Sequence, residues 1–376
     1  MSTRPKLRRR EFWLLLGVCV LVLLFIPVVR HYQLRAAARA YVAQLRAQGE
    51  KLDLAEVIPP PVPPEQDGSA LLLQASALLD ASRNFLSTNF PSAMDMVAPG
   101  RARIGWQQPA VVDDKASNSW ADIELALAED RDALDRLNNI LDCSELDFKL
   151  QYNGGLDNLK LPHLISVKNA AQHLCAAAMD ELHRGNPEAA GRNIRTMLVL
   201  ANGLAHDRLV ISELVRIAVA AIATEATWEL LQATNATETE LATLQRDWVG
   251  LDFIRSGENA LLMERAAEQV TLAEWKSPRS PLHGAPLAWG DLLTGEGLQA
   301  TGRQLKFRFD RFRWHYWWSY ADQVRYLQVD QMLLETFRKA QTNAPLLALK
   351  KQQEQKIKRI FGRVDPERLS PLFADL

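Results

Sequence analysis

The chain has 376 residues, 48% of them hydrophobic and 24% charged, with a formal net charge of −1. Such a make-up belongs to folded globular proteins, and the length suits one large or two ordinary domains. The near-neutral balance excludes the bulk positive field that gathers nucleic acid, so none is expected as a partner.

A basic tail over 1–11 contains Arg4, Lys6, Arg8, Arg9 and Arg10, and the run Phe12–Val29 that follows it has no charged residue. Eighteen residues of helix span about 27 Å, close to the hydrocarbon core of a bilayer. Trp13 stands at one edge and His31 and Tyr32 at the other, as in interfacial belts. A cleaved secretory signal would carry a shorter apolar run with a small-residue site directly after it; RHYQLR follows instead. The expectation is therefore a signal anchor over 12–30, a single-pass span holding the lipid bilayer through residues 12–29. The leading basic cluster places the body on the extracytoplasmic side, although Arg30, Arg35, Arg39 and Arg46 weaken the asymmetry.

Residues 31–57 read as an Ala/Leu/Arg-rich helical stalk that Gly49 weakens. IPPPVPPEQDG at 58–68 reads as a polyproline spacer holding an α-helical body, 69–376, away from lipid. Within that body Ser69 opens one helix and Ser119 another, with irregular chain at 87–118. Alternation in Leu146, Phe148 and Leu150 before Asn153-Gly154-Gly155 allows a short extended piece. Four helices joined by tight turns over 163–248 predict stacked antiparallel hairpins. Among them 209–231 is apolar on nearly every face, which predicts a central buried helix. HRGNPEAA resembles one tetratricopeptide hairpin, without a regular recurrence along the chain. A Pro/Gly-rich loop is expected at 277–302 and aromatic-basic helices at 303–362. The fold class is all-α, with one N-terminal transmembrane helix.

Three groups of residues are weighed as sites. In the aromatic-basic run, Arg311, Arg313, Trp314, Tyr316, Trp317, Trp318 and Tyr320 form a candidate interaction surface. Packing between helices, contact with a membrane interface and a partner-protein hot spot all suit that composition. Glu213, Arg216 and Glu225 form a candidate buried polar site, since a buried arginine requires a carboxylate and Glu213 lies on its face. The seven histidines make no HExxH or other ligand spacing, and no phosphate loop or nucleophile elbow occurs. Neither a metal nor a cofactor is expected, and the balance leans away from an enzyme. Cys143 and Cys175 are either a disulfide or two free thiols.

PPPVPPEQDGSALLLQA after the anchor, the block at 161–231 and the later ADQVRYLQVDQMLL together resemble uncharacterised membrane-anchored helical proteins of planctomycete and verrucomicrobial bacteria. The resemblance implies a bacterial envelope setting and carries no functional residue. The resulting expectation is a membrane-anchored scaffold that binds another envelope protein. The alternatives are a hydrolase or transferase with a site beside the central helix, and a domain that binds the membrane surface.

Overall fold

The computed structural model of the protein describes residues 9–82, 84, 86, 94–95, 101–102, 119–143, 145–155, 159–277, 306, 309–310, 312–342, 351–352 and 355–356. The helices are α1 (Arg9–Ala47), α2 (Ser69–Ser82), α3 (Trp120–Glu129), α4 (Arg131–Asn138), α5 (His163–His183), α6 (Pro187–Gly203), α7 (Val210–Leu230), α8 (Glu238–Val249), α9 (Phe253–Lys276) and α10 (Ser319–Gln341). Two-residue strands at Met94–Asp95 and Arg101–Ala102 pair antiparallel, so the architecture is all-α. The expected loop at 277–302 lies outside the described residues beyond Ser277, as do the greater part of 87–118 and Arg311.

The chain divides into two units: Met1–Glu56 with Arg265–Leu376, and Val57–Glu264. The body expected at 69–376 is thus not one unit, and α9 contributes residues to both. Residues 58–68 belong to the second unit and are not a free spacer. Val57, Pro59 and Val62 are buried in it, the Gly68 amide donates to the Glu145 carbonyl, and the Glu145 amide donates to the Gln66 carbonyl. Apolar residues at every second or third position gave this stretch a face to bury, which its proline content concealed.

In the second unit α5, not 209–231, is the central helix. Its inner residues include Cys175–Met179, with three alanines at its centre, and small side chains let neighbours approach from several sides. Helices α2, α3, α6 and α7 all pack on it. The turn from α5 into α6 uses Gly185 at φ 76°, a conformation open to glycine, and Pro187 starts α6 with Asn186 as its cap. Capping boxes at Ser119/Asp122 and Thr237/Glu240 fix the starts of α3 and α8. Cys175 is buried in this core, Cys143 is half-buried, and neither is in a disulfide.

Near the end of α6, Gly203 lies directly under the Leu146 side chain, so a Cβ there would collide with it. Alanine gains about 1 kcal/mol of helix propensity over glycine, yet overpacking costs about 1–3 kcal/mol. Gly203→Ala is therefore expected to lower the stability of the second unit. A thermal melt in which G203A gains stability would contradict this packing.

In the first unit α1 and α10 run side by side in the same direction. The His31 ring meets Tyr320 at 5.2 Å, Leu45 shares a small core with Leu327, and Glu50 meets Gln331 and Arg338. Helix α1 is continuous through the expected anchor and stalk and ends at Ala47; Gly49, at φ 83°, turns the chain. Among the described residues no helix is long and apolar enough to cross a membrane. In the run 12–29, the side chains of 12, 14–16, 18–24 and 27 lie outside those described. Of the rest of that run, Trp13, Phe25, Ile26 and Val28 are exposed.

Candidate interaction surfaces

Arg216 and Glu213 meet in the second unit, one turn apart on α7. The Arg216 guanidinium donates to Glu213 Oε2 at 2.6 Å and to the Ala201 carbonyl at 2.6 Å, and it also bonds Ser256 Oγ. Ser256 Oγ in turn donates to Glu213 Oε2 at 2.8 Å, and the Phe253 ring lies 4.9 Å from the guanidinium carbon. Arg216 is 1% exposed. Burial pushes the Glu213 carboxyl above its ordinary range, against the pull of Arg216 and Ser256. The group ties α7 to the end of α6 and the start of α9. Glu225 is not part of it and lies on the exposed side of α7.

A second buried network surrounds Asp207, just before α7. Its Oδ2 receives Ser212 Oγ at 2.6 Å and lies 2.8 Å from His163 Nε2, and its carbonyl accepts from the Tyr152 hydroxyl at 2.7 Å. Phe148 stacks on His163 at 3.9 Å. Serine, histidine and aspartate are together, but the aspartate is in the middle. In a nucleophilic triad the histidine bridges and takes the serine proton. Here it does not touch the serine, so the arrangement holds chain segments and activates no nucleophile. Sequence reading missed it because His163 and Asp207 are 44 residues apart.

A groove of about 440 Å³ opens among α3, α4, α5 and α6, with Leu127 and Leu134 on one wall and Arg131, Asp180 and Arg184 around it. Its floor is polar: the Asn138 amide donates to Asn193 Oδ1 at 2.9 Å, and Thr196 Oγ1 donates to Asn138 Oδ1 at 2.7 Å. Arg184 is spent on Asp180 and Glu181, at 2.7 and 2.9 Å. Burial raises the Asp180 carboxyl despite that arginine. With cations and carboxylates interleaved, the groove has no strong preference for either charge.

The outer face of α7 differs from both networks. Leu214, Ile217 and Trp228 are 56%, 52% and 63% exposed, and Leu231 and Ala221 continue the same side. Spacings of three, four, seven and three residues set them in one stripe about 25 Å long. The inner face of this helix fills the core; the outer stripe is apolar apart from Thr224 and Glu225, which are exposed between Ala221 and Trp228.

In the first unit the aromatic-basic run is split by helical phase. Residues 312–317 are helical and lead into α10. Trp314 is buried, donates from Nε1 to Asp322 Oδ2 at 2.9 Å, and meets Trp275 edge-on at 6.2 Å. Trp317, Trp318 and Tyr320 are half-buried. Arg313 stacks over Trp318 and Phe309, 5.3 and 5.8 Å from their centroids. Tyr316, Phe312 and Phe309 are exposed, and Tyr316 contacts His31 at 5.3 Å.

Among the described residues no three ligating side chains converge as a metal site would require. No family model, curated protein or solved structure matches this chain.

Proposed function

We propose that this chain is a membrane-anchored scaffold of the bacterial envelope, whose second unit holds another protein against α7. The outer stripe of α7 carries the reading. Exposed apolar residues along a rigid helix mark interaction sites, and Trp228 among them is the kind of aromatic anchor that carries a binding hot spot. The matching partner is an amphipathic helix with apolar residues at three- and four-residue spacing. The charge-free run at 12–29 supports an anchor, and the basic cluster before it supports an extracytoplasmic body. An enzymatic site at Arg216 and Glu225 draws less support, because the Arg216 donors are taken up inside the fold.

The test is a photoreactive residue placed at Trp228 or Leu214 of the full-length chain in cells. A discrete protein adduct is expected at both positions and at neither after Ile217→Glu. The exposed Asp132 of α4 serves as the comparison. Equal adducts at Asp132, or none on the stripe, would remove the reading.

A further inference from the structure

The exposed aromatics of the first unit stand at a particular height along α1. The charge-free run ends at Val29, and His31 is two residues later, about 3 Å further along the helix. At that level His31 touches three rings of the other segment: His315 at 5.6 Å, Tyr316 at 5.3 Å and Tyr320 at 5.2 Å. Phe309 and Phe312 project 60% and 55% exposed, with Phe312 lying 4.7 Å from Tyr316. Tyr32 is exposed beside them. Arg313 lies over Phe309 and Trp318 and pairs with Asp310 at 3.8 Å, while Lys306, Arg30 and Arg35 stand within three residues of Phe309 or Tyr32 in the sequence and add positive charge. On the other side of His31, the described side chains Phe25, Ile26 and Val28 are open apolar surface.

We propose that Phe309, Phe312 and Tyr316, with Tyr32, form a collar that sits in the headgroup layer of an anionic bilayer where α1 leaves it. This rests on the anchor at 12–29. Aromatic rings with one apolar and one polar edge favour that layer, and basic side chains beside them gain from anionic lipid. Inward of the collar, buried Trp314 packs edge-on against half-buried Trp275 and fixes the helical stretch beside the outer rings. Because α10 departs in the same direction as α1, the rest of the described first unit rises from the surface instead of lying along it. Glu335, fifteen residues beyond Tyr320, is about 22 Å further up that helix.

The full-length chain is reconstituted in vesicles of phosphatidylethanolamine and phosphatidylglycerol. A photoreactive phenylalanine analogue replaces Leu21, Phe309, Phe312 or Glu335 in turn, and lipid adducts are read by mass. Adducts at Phe309 and Phe312 are expected several-fold above those at Glu335, with Leu21 also labelled. Labelling at Leu21 with Phe309 and Phe312 no higher than Glu335 overturns the collar and leaves the anchor standing. A Leu21 position that captures no lipid overturns the anchor, and the collar with it.

Discussion

Glu213→Ala is expected to destabilise the second unit by about 3–5 kcal/mol, and Arg216→Met by clearly less. The two residues share one ion pair, so simple contact counting gives them equal weight. Their chemistry is unequal. With Arg216 gone, Glu213 can take up a proton, and burial already moves its carboxyl in that direction. With Glu213 gone, Arg216 cannot shed its charge, and it is held at 1% exposure with only neutral oxygens for partners. Hydrogen exchange of the α7 amides reads the difference locally. At about 1.4 kcal/mol per tenfold, E213A should speed exchange by about a hundred-fold or more. Equal acceleration in the two variants would refute the asymmetry. The sign with pH follows. A raised carboxyl favours the protonated fold, so its contribution is greatest at low pH and falls as pH rises past the ordinary glutamate value.

The second large effect concerns Glu50, and its pH dependence runs the other way. Arg265, fully buried, donates to Glu50 Oε2 at 2.9 Å; Arg338 donates to Oε1 at 2.6 Å, and Gln331 to the same oxygen at 2.9 Å. Burial alone would raise this carboxyl. The bonds from Arg338, Gln331 and Arg265 outweigh burial and bring it down to about 2. A lowered carboxyl contributes stability above its unfolded value near 4.5 and loses it as pH falls toward about 2. The contribution is about 2 kcal/mol after discounting for the half-exposed Arg338. The wild-type melting temperature should therefore drop steeply between those pH values, and Glu50→Gln should flatten that acid arm. Glu50→Ala at neutral pH strands Arg265 and should cost about 3–5 kcal/mol. An acid arm unchanged in E50Q would show that the clamp is not what titrates.

What the sequence revealed and what it hid divide along a physical line. Helix starts were legible where chemistry is local: Ser119 and Thr237 cap helices through residues three positions on, and Gly185-Asn186-Pro187 turns the chain. The all-α class follows from such signals. The pairing of Glu213 with Arg216 was legible for the same reason, since three residues along a helix is a neighbouring position. Their partner Ser256 comes from 40 residues away. Burial was misjudged at 209–231 because apolarity alone does not say which face is covered. The alanine run of α5 reads as less hydrophobic and is the more enclosed. Glu50 sits where a stalk was expected, and its partners are 215 to 288 residues distant. The aromatic-basic run gave its residue types but not its division into buried Trp314 and exposed Phe309, Phe312 and Tyr316, which depends on the phase of the 312–317 helix.

One property of the first unit bears on how the protein is made. Its two halves are separated in the sequence by the whole of the second unit, and Glu50 waits for Arg338, 288 residues later. A ribosome delivers the early half long before the late one. The intervening stretch, rich in near-neighbour contacts, can finish folding first. Until α10 emerges, Tyr41, Leu45 and Leu52 lack their closing partner Leu327, so this is the interval in which a nascent chain is most exposed to aggregation or proteolysis.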